Sequence, residues 1–172
     1  MYQFQCDYNE GAHPRIMERL METNFEQTVG YGEDHYCEAA RAAVRKAVGR
    51  EDVDVHFLVG GTQANATVIS SILRPYQGVL CATTGHINVH ETGAIEHGGH
   101  KVLALEAADG LLSAALIREA VEAHYAEDGP EHTVQPGMVY ISFSSEVGTV
   151  YSLSQLREIS AVCREYGLPL FV

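Results

Sequence analysis

Apolar and polar positions follow two alternating rhythms along this chain. Apolar runs of strand length give way repeatedly to longer stretches whose apolar residues recur every three or four positions. Pro14 suits the first turn of a helix in which Ile16, Met17, Leu20 and Met21 share a face, with Asn24 as the stop. After a tyrosine- and glycine-bearing loop, Asp34 is placed to cap a second helix, EAARAAVRKAVG, which Gly49 terminates in the left-handed conformation. Residues 53–59, VDVHFLV, read as a strand running into GGTQANATVISSIL, a glycine turn that opens a helix.

The same alternation continues through the second half. GVLCA (78–82) is a short β run, HINVHETGAIEH (86–97) holds a turn or two of helix, and KVLAL (101–105) is the next strand. Asp109 and Gly110 mark a turn, and Ser113 caps a helix carrying Leu116, Ile117 and Ala120 on one face. The breaker-rich loop EDGPEHTVQPG leads to a strand MVYISF (138–143). Ser152 with Gln155 spells a capping box for LREISAVCREY, Gly167 closes that helix, and LPLFV (168–172) starts another strand. Such βα units predict an α/β fold, with a mainly parallel sheet covered by helices on both faces. The reading divides into an N-terminal segment and helix (1–25) and one larger domain (26–172). The apolar run ending at Val172 has only just begun, which reads as a core strand of a longer polypeptide.

Composition narrows the function classes. At 172 residues the chain can bury about 70% of its unfolded surface and needs no staple to fold. A net charge of −12 repels phosphate backbones and anionic lipid heads, which argues against nucleic-acid and membrane-surface roles. No apolar stretch reaches the roughly 20 residues of a membrane span, and MYQFQCDYNEG lacks the marks of a signal peptide, so the expected location is cytoplasmic. Cys6, Cys37, Cys81 and Cys163 are too widely spaced for a zinc ribbon and read as reduced thiols.

Two stretches carry candidate chemistry. In GGTQAN (60–65) glycines allow close approach of a ligand, and the first amides of the following helix are unpaired donors at a positive dipole end, which makes an anion site. The motif matches neither the dinucleotide fingerprint nor the P-loop, and tight strand–helix packing explains it equally well. In GHINVHETGAIEHGGH, His86 and His90 share a helical face, as a metal pair would, although Gly98 and Gly99 break the helix before His100. A histidine facing a flat cofactor ring is the other reading of this stretch. The loop GYGEDHY (30–36) offers Tyr31, Glu33 and Asp34 as site residues or simply as a cap with a packed aromatic.

Taken in order, CDYNEGAHP, GYGEDHY, GGTQAN, GHINVHETGA and SEVGTVYSLSQL before LPLFV resemble the threonine aldolase and β-eliminating lyase family, along essentially all 172 residues. That resemblance implies the aspartate-aminotransferase fold (fold type I), pyridoxal 5'-phosphate as cofactor, and a homodimer or homotetramer. It implies that Gly61, Thr62 and Gln63 bind the cofactor phosphate, that His86 stacks on the ring and is the candidate catalytic residue, and that Glu91 lies in the same pocket. Cys6, Asp7 and Tyr31 then border the substrate pocket, with Cys6 standing where the family has a serine. The implied activity is cleavage of β-hydroxy-α-amino acids such as L-threonine or L-allo-threonine to glycine and an aldehyde, with β-elimination as a variant.

The family's lysine, pyridinium acid and carboxylate-binding arginine have no counterparts in these residues. The two lysines, Lys46 and Lys101, stand in the wrong contexts, so these 172 residues alone are expected to complete no turnover. Readings of other classes are a metal-dependent hydrolase built on His86–His100 and a non-catalytic association module.

Overall fold

The run read as GVLCA becomes the centre of a parallel sheet, β1 (Gln77–Ala82), with every residue after Gln77 buried. It pairs on one side with β2 (Val102–Leu105) and on the other with β3 (Gln135–Tyr140), and β3 pairs with β4 (Leu170–Phe171), giving the order β2-β1-β3-β4, all parallel. This computed structural model describes residues 2–6 and 8–172, and it divides the chain into two units, one ending at Phe57 and one starting at Leu58.

In the second unit each pair of sequential strands is joined through helices, as parallel strands require. Helix α3 (Gly61–Ile72) leads into β1; two single-turn helices, α4 (His86–Val89) and α5 (Ala94–His97), connect β1 to β2; α6 (Ala114–Ala126) connects β2 to β3; and α7 (Leu153–Glu165) connects β3 to β4. The pleat sorts the strand residues into two cores. Leu80, Ala82, Val139 and Ile141 pack with Ile117 and Val121 of α6 and Ile159 and Val162 of α7. Val79, Cys81, Met138 and Tyr140 pack with Ile69 of α3, Ile87 of α4 and Ile95 of α5. Each fully buried aliphatic side chain contributes about 1.5–3 kcal/mol of transfer free energy, so both faces are needed to hold the sheet.

The helix ends follow the sequence signals. Ser113 Oγ accepts from the Leu116 amide at 3.1 Å, and Ser152 and Gln155 form the reciprocal capping box on α7. Two strand expectations are corrected. β3 starts at Gln135 rather than Met138, because the Gln135 amide donates to the Tyr76 carbonyl, and Pro136 stays paired with Gly78 while a register shift between Gly78 and Val79 leaves Gly137 as the extra residue. The strand expected over residues 53–59 does not form among the described residues: no ladder partner takes its backbone groups, and Arg45 Nε and Arg41 Nε instead donate to the carbonyls of Val53 and Val55 at 3.0 and 3.4 Å.

The first unit holds α1 (Pro14–Thr23) and α2 (His35–Val48), neither with a buried residue. Asp34 accepts from the Cys37 amide at 2.9 Å as the cap of α2, and hydrogen bonds from the Cys37 side chain and amide hold its carboxyl below the ordinary range. Gly49 ends the helix at φ 69°, a conformation that costs a residue with a Cβ. All four cysteines are free thiols; burial pushes Cys81 up to about 12 and Cys163 to about 11. Among the described residues no helix is long and apolar enough to cross a membrane.

Candidate active site

Ligand sites of parallel α/β sheets lie beyond the carboxyl ends of the strands, and the histidine stretch begins there. β1 ends at Ala82, the Gly85 amide turns back onto the Ala82 carbonyl at 2.7 Å, and α4 starts at His86. Gly85 offers no side-chain cap, so the His86 amide finds its acceptor across the sheet, in Ser142 Oγ just after β3, at 3.1 Å. Four residues further along that loop, Glu146 Oε1 lies 2.7 Å from His86 Nδ1. An ionised carboxylate only accepts, so Nδ1 carries the proton of this bond. The other carboxylate oxygen lies 3.3 Å from His90 Nε2, and the two imidazole centroids are 5.3 Å apart.

Behind His86 sits a buried carboxylate. The Glu91 side chain is 1% exposed, its Oε1 is 3.9 Å from His86 Nε2 and accepts from Asn65 Nδ2 at 2.9 Å, and its Oε2 is buried with no hydrogen-bond partner among the described residues. Asn65 belongs to α3, one turn from that helix's start, so the bond ties the first turns of α3 to the carboxylate beside the imidazole. Tyr140, the last residue of β3, closes the floor; burial pushes its phenol up, its hydrogen bond with Ser142 pulls down, and the carboxylates of Glu91 and Glu146 push up further.

The amino end of α3 is open. Gly60 has no side chain to cap it, and the amides of Gly61, Thr62 and Gln63 precede the first intrahelical bond, made by the Ala64 amide to the Gly60 carbonyl. Gln63 reaches back to accept from the Val59 amide at 2.9 Å, fixing the turn. A Cβ at Gly60 or Gly61 would meet nothing within 4 Å, so an anion can approach these donors closely. Open amides at one end and a half-exposed imidazole at the other fit a molecule carrying both a phosphate and a flat ring.

Of the residues expected from sequence, Gly61, Thr62, Gln63, His86 and Glu91 thus belong to one arrangement. Tyr31 and Cys6 are in the first unit: Tyr31 is fully exposed at φ 63°, and Cys6 Sγ donates to Asn9 Oδ1 at 2.9 Å. Asp7 lies outside the described residues. The histidine cluster is divided rather than gathered, since His100 is buried with Nδ1 on the Gln77 carbonyl at 3.2 Å, and among the described residues no three His, Cys, Asp or Glu side chains are grouped to hold a metal. Lys101 precedes β2, at the opposite end of the sheet from His86. Sequence reading passed over Asn65, Ser142 and Glu146. Asn65 was legible, standing in the glycine motif four positions after Gly61 and so on the same helical face. Ser142 and Glu146 needed the β1–β3 pairing.

A doubly covered parallel sheet with its site at the carboxyl ends of β1 and β3 is the architecture of the fold type I enzymes. The chain belongs to the β-eliminating lyase family, which it matches over residues 3–172. It is 33% identical to a low specificity L-threonine aldolase of a Pseudomonas species over 98% of this chain and 48% of that protein, and 32% identical to the low specificity L-threonine aldolase of Pseudomonas aeruginosa with the same coverage. A solved threonine aldolase from Leishmania major superposes with a TM-score of 0.89 at 44% identity, covering 95% of this chain and 47% of that one. The chain spans about half the length of the curated relatives it matches.

Proposed function

We propose that the protein is a pyridoxal-phosphate-dependent lyase that cleaves β-hydroxy-α-amino acids, L-threonine or L-allo-threonine, to glycine and acetaldehyde. The observation that carries this reading is the Asn65–Glu91 hydrogen bond, which joins α3, whose first amides are open, to the carboxylate 3.9 Å from His86 Nε2 in a chain of this family. In this reading Gly61, Thr62 and Gln63 hold the phosphate with backbone amides, each charge-assisted bond being worth about 1.5–3 kcal/mol. His86 would hold the cofactor's ring, with Glu91 in the same pocket segment. Bound there, the cofactor supplies a sink for the electron pair released when the substrate's Cα–Cβ bond breaks. His86 Nε2, the nitrogen that Glu146 leaves unengaged, accepts the proton of the substrate's β-hydroxyl.

Lys101 is remote from this end of the sheet, and neither it nor Lys46 stands in the family's Schiff-base context in this reading, so residues 1–172 on their own complete no turnover. We further propose a cytoplasmic homodimer or homotetramer. The test is an assay of the whole protein with pyridoxal phosphate and L-threonine, following glycine and acetaldehyde. Cofactor binding without either product overturns the reading, and ammonia with a 2-oxo acid in their place assigns β-elimination instead.

A further inference from the structure

The loop after β3 does more than close the sheet. The Ser145 amide bonds the Thr149 carbonyl at 2.9 Å, the Gly148 amide bonds the Ser145 carbonyl at 3.0 Å, and Thr149 Oγ1 donates to the Asp109 carbonyl at 2.6 Å. Glu146 sits inside that tied turn, and its side chain is 26% exposed, so its carboxylate is held in place and partly shielded from water. One oxygen engages His86 Nδ1 at 2.7 Å and the other faces His90 Nε2 at 3.3 Å, while Ser142 from the same loop fixes the His86 backbone amide. Among the described residues His86 Nε2 has no comparable partner, the nearest carboxylate oxygen being Glu91 Oε1 at 3.9 Å.

We propose that Glu146 is the positioning residue of this site: by accepting the Nδ1 proton of His86 it fixes the ring's orientation and leaves Nε2 as the nitrogen that takes the substrate's proton. The role in turnover rests on the lyase reading above; the tautomer does not. The logic is that of any carboxylate that orients a general-base histidine, in which a bond to one ring nitrogen decides what the other can do. Glu146 touches neither cofactor nor substrate in this assignment. His90 supports it by facing its second oxygen.

The experiment has two arms. In the first, the 172-residue chain is labelled with ¹⁵N-histidine and the His86 resonances, assigned by their loss in His86→Asn, are read in long-range ¹H–¹⁵N correlation spectra. The expected result is a protonated Nδ1 in the wild type and its loss from Nδ1 in favour of Nε2 in Glu146→Ala. A wild-type His86 with an unprotonated Nδ1 overturns the proposal even if the variant fails to fold, and so does an unchanged tautomer in a folded Glu146→Ala. In the second arm, Glu146→Ala in the whole protein is expected to lower kcat by roughly tenfold to a hundredfold with KM nearly unchanged, the size of effect that a misplaced catalytic group produces; an unchanged kcat overturns the proposal. A whole protein that cleaves no β-hydroxy amino acid, alongside the expected tautomer change, overturns the lyase reading and leaves the assignment of Glu146 to His86 standing.

Discussion

Glu146 and His86 are 60 positions apart in the chain and 2.7 Å apart in the fold, at a place where two neighbouring strands end side by side. Glu146 is uninformative alone. The pairing of β1 with β3 brings the carboxylate to the imidazole, and Ser142 on the same loop holds the His86 amide at 3.1 Å, so side chain and backbone of one histidine are positioned by one segment.

Removing the partner of a buried carboxylate should cost more than removing the pair. Asn65→Ala leaves both oxygens of Glu91 buried without a donor from α3, and is expected to destabilise the protein by about 1–3 kcal/mol. In urea titrations of Asn65→Ala, Glu91→Leu and the double variant, the double variant is expected to lose less than the sum of the singles. Strict additivity would show that the bond does not couple α3 to the segment between α4 and α5 that carries Glu91.

The anion site can be weakened one donor at a time. Gly61 is the first residue of α3, where proline fits a helix, and Gly60 is extended at φ −172° and ψ 169°, as a residue before proline must be. Gly61→Pro therefore deletes one amide and leaves the helix intact. Pyridoxal phosphate affinity, read by fluorescence titration, is expected to fall roughly tenfold to a hundredfold, the equivalent of one charge-assisted hydrogen bond, with little change in the unfolding midpoint. Unchanged affinity would place the phosphate elsewhere.

Much of the fold was legible because the signals were local. A capping serine, a terminating glycine and a run such as GVLCA each act within a few residues, and α2, α3, α6 and α7 stand where those signals put them. What the sequence hid was set by partners. Residues 53–59 have the composition of a strand, but a strand exists only when a ladder accepts it, and two arginines of α2 take its carbonyls instead. Pro136 looked like loop because nothing local reveals that the chain beside it shifts register. In the site, the glycine motif and His86 were visible, whereas Glu146 emerged only from the strand order.

Buried thiols give the alkaline limit. Cys81 is raised from an ordinary value of 9.0 to about 12, and Cys163 to about 11, in both cases first by burial. Between 9.0 and these values the native state retains protons that the unfolded state has lost, so stability is whole below pH 9.0 and falls as pH rises toward 11 and 12. Urea midpoints measured from pH 8 to pH 11 are expected to decline, and less steeply in Cys81→Ala/Cys163→Ala. In native protein near pH 8, thiol reagents are expected to label Cys6 and Cys37 first.

Gly78 sits where β1 passes close to the start of β2. A Cβ built there would lie 2.6 Å from the Lys101 carbonyl oxygen, a backbone atom that cannot rotate away. Gly78→Ala is expected to lose about 1–3 kcal/mol by urea titration. No loss would mean that β1 and β2 can part without cost.

The sorting of β1 and β3 side chains to opposite faces also bears on how such a protein can change. The layer against α3, α4 and α5 contains Tyr140 and supports Asn65, His86 and Glu91, while the layer against α6 and α7 contains none of these. Selection can adjust the two layers separately only in part: substitutions under α6 and α7 are expected to change robustness to heat without touching the Asn65–Glu91 bond, but Ile141 and Tyr151, which flank the loop carrying Glu146, belong to that same layer.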